Sequence, residues 1–161
     1  MIGMVLEDYE IIGLIGSGGM AKVFRATHVD TGETVAIKTL PEEFYGDATY
    51  QLRFLREIEV IRRLHHPNIL PLISHGEQDQ VSYIIMPYMP YGTLKDRLHD
   101  TDLPLEECLR LMQQLGSAID HAHAQQVIHR DIKPANIMLD ADDNVQLVDF
   151  GVAKLIEDTS V

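Results

Sequence analysis

Cysteine and basic residues are scarce in this sequence, and long hydrophobic runs are missing altogether. The single cysteine, Cys108, excludes an internal disulfide and stands in no metal-ligand spacing, which leads us to expect a reducing, cytoplasmic setting. Only 13 lysines and arginines stand against 25 aspartates and glutamates, a formal net charge of −12. That balance argues against nonspecific binding to nucleic acid or an anionic membrane, since both reward a positive field. An anion held by this chain has to be held locally, by a few placed groups. The opening residues MIGMVLEDYE lack a basic start and a cleavage pattern, and no apolar run approaches the roughly 18 residues a membrane helix needs. What is present suffices for a core: 45% of the 161 residues are hydrophobic, enough for one domain or two small lobes.

Residues 9–15, 21–28 and 34–40 are rich in β-branched and apolar side chains, and Asp30-Thr31-Gly32 marks a tight turn between the last two, so they read as antiparallel strands. Residues 69–74 and 81–86 read as two more. The first junction, Gly16-Ser17-Gly18-Gly19-Met20-Ala21, lets backbone N–H groups approach a ligand, although a glycine-rich turn standing alone equally describes a flexible hairpin. Lys38 ends the apolar run Val35-Ala36-Ile37, where an unpaired ammonium is costly, and so it needs an anion. Tyr50, Phe54, Ile58, Ile61 and Leu64 recur at helical spacing, and Glu57 falls within their stripe. A carboxylate near a buried helix face and a lysine in a buried strand satisfy one another; the plainer alternative is a solvated helical glutamate. Pro67 stops the helix, and His65 and His66 suit its C-terminal end better than a metal, since no ligand-type partners recur around them. His121 and His123 lie two apart on a predicted helix and point to different faces.

Residues 87–92, Pro-Tyr-Met-Pro-Tyr-Gly, read as a connector to a second lobe. Residues 93–99 read as a short helix capped by Thr93, and Leu105–Ala124 as a long one. In the long helix Leu105, Cys108, Met112, Leu115, Ile119 and Ala122 are expected to share the packed face, with Cys108 an apolar filler and not a nucleophile. Leu111 and Ala118 are expected to extend the apolar surface to a side that no segment covers, which predicts self-association through the C-terminal half. Beyond it, His129-Arg130-Asp131-Ile132-Lys133-Pro134-Ala135-Asn136 and Asp149-Phe150-Gly151 gather charged and amide groups into a polar loop. Short apolar strands at 127–128, 137–139 and 145–148 are expected to clamp that loop as one small sheet.

These motifs, H-R-D-x-K-x-x-N followed by D-F-G, together with V-A-I-K and the glycine-rich turn, resemble those of the eukaryotic-type serine/threonine protein kinases, particularly the bacterial ones. The resemblance runs from about Tyr9 to Lys154. It implies an α+β, protein-kinase-like fold: a small lobe and hinge over 1–89, with a five-stranded antiparallel sheet and one helix, and a partial, mainly helical large lobe over 90–161. It implies ATP-dependent phosphorylation of Ser or Thr hydroxyls in protein substrates, with Mg²⁺, or Mn²⁺ in its place. By the same resemblance Lys38 and Glu57 position the phosphates, Asp131 meets the substrate hydroxyl, Lys133 neutralises the transferred group, and Asn136 and Asp149 ligate the metal. Lys133 two residues after Asp131 is the serine/threonine pattern. Ile15, Gly16, Ser17, Gly18, Gly19, Val23, Ala36, Met86, the Met89 backbone and Met138 would hold the nucleotide, Met138 also reading as plain core. The family's third glycine is Ala21 here, a small change, and Pro87 stands where a hinge glutamate is common. The alternatives are a nucleotide-binding but catalytically impaired piece, or a noncatalytic interaction module, which would have to explain why all six polar positions are kept.

Overall fold

The computed structural model describes residues 1–18, 21–100 and 102–150 and the backbone of Lys154–Leu155. Two compact units emerge, Met1–Ile58 with Leu72–Tyr88, and Glu59–Pro71 with Met89–Val161.

The first unit is built on strands β1 (Val5–Leu6), β2 (Tyr9–Ser17), β3 (Lys22–His28) and β4 (Thr34–Thr39), the start of helix α1 (Ala48–Arg63), and strands β5 (Ser74–Gln78) and β6 (Val81–Pro87). They form one sheet in the order β1-β2-β3-β4-β6-β5, with every neighbouring pair antiparallel. The sheet therefore has six strands where five were expected. Two residues suffice for β1 because Leu6 is fully buried and Glu7, at φ 51°, turns the chain straight into β2.

The strand expected at 69–74 also moves. Pro71 removes a ladder donor there, and the strand is instead Ser74–Gln78, joined to β6 through Asp79 and Gln80 at φ 52° and 67°. Two consecutive left-handed residues make the primed turn that suits a twisted hairpin. Asp-Gln is a weak signal for it.

Because side chains alternate along β4, Val35 and Ile37 face one layer and Lys38 and Leu40 the other. The first layer holds Leu6, Ile11, Phe24, Ala26, Tyr83 and Ile85, with Met1 and Met4 packed against it. On the opposite face Leu40 and Ile84 pack against Phe54 and Ile58 of α1, and Tyr45, Tyr50, Leu72 and Met86 cover the edges. The helical stripe lies where its periodicity predicts, with Phe54, Ile58, Ile61 and Leu64 buried.

The second unit carries α2 (Leu94–Asp100), α3 (Leu105–Ala124) and four short strands, β7 (Val127–Ile128), β8 (Ile137–Leu139), β9 (Val145–Leu147) and β10 (Lys154–Leu155). Thr93 caps α2 as predicted: its N–H and hydroxyl donate to Asp96 Oδ2 at 2.9 and 2.7 Å, and the Asp96 N–H returns to Thr93 Oγ1 at 3.3 Å. The Thr93 hydroxyl and then its N–H hold the Asp96 carboxyl below its ordinary range. The single clamping sheet resolves into two: β8 pairs with β9, whereas β7 pairs with β10.

In α3 the expected faces are corrected. Leu111, Leu115, Ala118 and Ala122 form the buried line, and Leu105, Leu109 and Met112 are 75%, 56% and 64% exposed. Leu111 and Ala118 are thus core, and the uncovered apolar stripe lies elsewhere on the helix. The reason is polar: Arg110 and Gln114 reach the β8–β9 turn, and their bonds set which side of α3 faces the strands. Cys108 is half-buried, and its thiol donates to the Leu103 carbonyl at 3.8 Å.

Candidate active site

In the first unit Lys38 projects from β4 toward α1, flanked by Val23 and Ile84 on the neighbouring strands. Its Nζ lies 2.6 Å from Glu57 Oε1, and the side chains are only 13% and 6% exposed. A charge buried this far is retained only with a partner, so each group accounts for the other. The glycine-rich hairpin spans the β2–β3 end, where Gly16 opposes Val23 and Ser17 opposes Lys22. Beyond that pair the Gly18 N–H donates to the Ala21 carbonyl at 2.9 Å. Irregular register between Leu14 and Gly16 bends the ribbon. A Cβ on Gly16 would meet Val23 at an ordinary 3.7 Å and one on Gly18 would meet the Ala21 oxygen at 3.9 Å, so packing within the fold does not require glycine at either place.

In the second unit the loop from His129 to Asn136 closes on itself. Asn136, buried at the end of a 3₁₀ turn begun by Pro134, donates from Nδ2 to the Asp131 carbonyl at 2.8 Å and to Asp131 Oδ2 at 3.0 Å. Lys133 Nζ meets the same Oδ2 at 2.6 Å. The Lys133 hydrogen bond comes first among the causes that hold the Asp131 carboxyl below its ordinary range; it outweighs desolvation, and Asn136 adds to it. With its Nδ2 committed, Asn136 has Oδ1, a hard oxygen donor, to offer a cation.

His129 ties this loop to the next. Its Nδ1 accepts from the Asp131 N–H at 3.2 Å, so its Nε2–H is the donor to the Val148 carbonyl at 2.9 Å. Its ring lies 4.7 Å from that of buried Phe150. Val148 in turn donates its N–H to the Asn136 carbonyl at 3.0 Å. Asp149, exposed and at φ 65°, follows directly; aspartate is one of the few side chains that tolerates the left-handed region.

The description "protein kinase domain" matches residues 9–161. The chain belongs to the protein kinase family. It is 40% identical over 154 residues to a serine/threonine-protein kinase, PrkC, of Bacillus subtilis, covering 95% of this chain and 24% of that one. It is 35% identical over 163 residues to the serine/threonine-protein kinase PknJ of Mycobacterium tuberculosis, covering 99% and 28%. A plant relative, CBL-interacting protein kinase 12 of rice, is 39% identical over 153 residues, covering 94% and 28%. The chain thus spans about a quarter of the length of these kinases.

Of the kinase-motif residues, Lys38 and Glu57 meet in the first unit, and Asp131, Lys133 and Asn136 meet in the second, with Asp149 one residue beyond a bond to Asn136. The predicted nucleotide-binding residues Ile15, Gly16, Ser17, Gly18, Val23, Ala36 and Met86 lie in the first unit and Met89 and Met138 in the second. Ala36 is buried, Ile15 is 46% exposed, and Val23, Met86, Met89 and Met138 are half-buried. Gly19 and Gly151 fall outside the described residues. For His129 the sequence carries one signal, its place two residues before Asp131; for Asn68 and Gln114 it carries none. His66 is structural: its Nδ1 accepts from the Asn68 N–H at 3.1 Å and its Nε2 bonds Ser117 Oγ at 3.0 Å.

Proposed function

We propose that this chain is the nucleotide-handling part of a cytoplasmic protein serine/threonine kinase that transfers the γ-phosphoryl group of ATP to Ser or Thr hydroxyls of protein substrates. The observation that carries the reading is the Asp131 cluster, in which one carboxylate is held ionised by a lysine ammonium and an asparagine amide whose oxygen remains for a cation. Because its pKa is depressed, Asp131 is a weak base; it accepts and orients the attacking hydroxyl, and takes the proton only as the bond to phosphorus forms. Lys133 faces the charge on the transferred group. Lys38, held by Glu57, serves the phosphates, and the two glycines that packing does not require keep side chains out of the way of a close approach by them.

Asn136 Oδ1 and the Asp149 carboxylate are oxygen donors of the kind Mg²⁺ prefers, and phosphate oxygens and water would complete its shell. When bound, Mg²⁺ neutralises charge on the phosphates; Mn²⁺ suits the same donors.

Asp131→Asn tests the reading through phosphate incorporation into a protein substrate and, separately, ATP binding by calorimetry. Transfer is expected to fall about a hundredfold or more while ATP affinity stays unchanged. Near-normal transfer in the variant would overturn the role.

A further inference from the structure

The hairpin β8–β9 carries the two proposed metal-ligating residues at its ends: Asn136 precedes Ile137, and Asp149 lies two residues after Leu147. Strands this short are weak by themselves. Along the edge of β9 turned away from β8, all four backbone groups nevertheless have partners. The Leu147 N–H donates to the Asn68 carbonyl at 2.9 Å, and the Leu147 carbonyl accepts from the Leu70 N–H at 3.1 Å. The Val145 carbonyl accepts from Asn68 Nδ2 at 2.9 Å, and the Val145 N–H donates to Gln114 Oε1 at 2.8 Å. Side-chain amides thus stand where a neighbouring strand would end.

Gln114 does more than fill one bond. Its Nε2 donates to Asn144 Oδ1 at 2.7 Å, and Arg110, one helical turn earlier, donates to the same oxygen at 3.3 Å and to the Asp143 carbonyl at 3.1 Å. Asn144 is fixed in turn on Asp140, to which its N–H and Nδ2 donate at 2.8 and 3.2 Å. A shift of β9 along its axis would break both Gln114 bonds at once, and would carry Val148 and Asp149 past Asn136.

We infer that Gln114 is a positioning residue for the metal-ligating pair: from α3 it locks the register of β9, and so the placement of Asp149 against Asn136. The inference rests on the kinase reading of Asn136 and Asp149. It goes beyond that reading because Gln114 belongs to none of the motifs and touches neither residue.

Two measurements on the 161-residue chain test it. Calorimetry with ATP, with and without Mg²⁺, gives the factor by which the metal strengthens binding, and amide hydrogen exchange reads Val145 directly. Gln114→Met, similar in size but without either bond, is expected to reduce the Mg²⁺ factor several-fold, short of the roughly tenfold loss that follows removal of a group bonded directly to a ligand, with metal-free ATP affinity unchanged and faster exchange at Val145. Gln114→Glu keeps the acceptor for Val145, sets a carboxylate against Asn144 Oδ1, and is expected to fall between. Ser117→Ala, on the same helix but bonded to His66, should lower thermal stability without altering the Mg²⁺ factor. If the unsubstituted chain shows no Mg²⁺ effect, the kinase reading fails and takes the inference with it. If the effect is present and Gln114→Met keeps it in full, the positioning role alone is overturned. Should Gln114→Met melt below the assay temperature, a full Mg²⁺ effect in Gln114→Glu overturns the role equally.

Discussion

Lys38–Glu57 and Lys133–Asp131 are both ion pairs of 2.6 Å, yet the first has side chains 13% and 6% exposed and the second 51% and 36%. Distance alone would rank them equal; burial separates them. Glu57 and Lys38 have given up water largely for polar partners, so losing this bond costs a charge held in the layer beside Phe54 and Ile58. Lys133 and Asp131 keep their water and exchange partners at little cost, which suits the proposed meeting of this pair with a substrate. The buried pair holds a shape. The exposed pair sets a charge state.

Breaking the buried pair should give the largest effect. Lys38→Met is expected to lower unfolding stability by about 3 kcal/mol, by leaving Glu57 buried without this partner, and to remove phosphoryl transfer. Denaturant titration and a transfer assay check both. Glu57→Gln keeps a hydrogen-bond acceptor and should cost about 1 kcal/mol. The double change Lys38→Met with Glu57→Leu sharpens the point: stability should return toward the starting value, because apolar groups replace a buried pair at little net cost, while transfer should not. Recovery of transfer would show that the pair serves only the fold.

Lys133→Met, by contrast, should leave the melting temperature almost unchanged and act through pH. Asp131 is held below its ordinary range, so its ionised form persists on acidification and is lost only as pH falls through that lowered value. Without Lys133 the carboxyl should titrate nearer the ordinary value of about 3.9, and the acid limb of the transfer rate should move upward. An unmoved limb would mean that Asn136, not Lys133, sets the charge.

The smallest expected effect isolates burial without an opposite charge. Desolvation, and then the neighbouring His121, lower the pKa of His66 from 6.5. The unfolded chain then takes up the proton first, so stability should decline as pH falls below about 6.5 and level off below the folded value. His66→Gln should flatten that part of the melting profile. An unchanged slope would place its origin in another group.

These contrasts also mark what can be read from residues alone. The stripe of Phe54, Ile58, Ile61 and Leu64 predicts the buried side of α1, and Lys38 and Glu57 could be paired because each breaks an apolar pattern that the other repairs. Thr93 and the bounds of α3 were legible for the same local reason. Leu111 and Ala118 were misplaced because α3 is apolar over a wide arc, and only the bonds of Arg110 and Gln114 select which part of it is covered. β5 was misplaced because Ile69 and Leu70 look like strand, while the hairpin runs through Asp79 and Gln80 without glycine. His129, Asn68 and Gln114 act on partners 19, 77 and 31 positions away, a reach that periodicity does not encode.

The filled outer edge of β9 bears on whether a sheet here could grow. An open strand edge is a template on which another chain can extend the sheet, the first step toward fibrous aggregates. Here Val145 and Leu147 have no backbone group left to lend. The six-stranded sheet ends on one side in a two-residue strand and on the other in Ser74-His75-Gly76-Glu77-Gln78, whose polar and charged side chains discourage such growth. Growth by strand addition is thus closed at the outer edge of β9 and discouraged at both edges of the larger sheet.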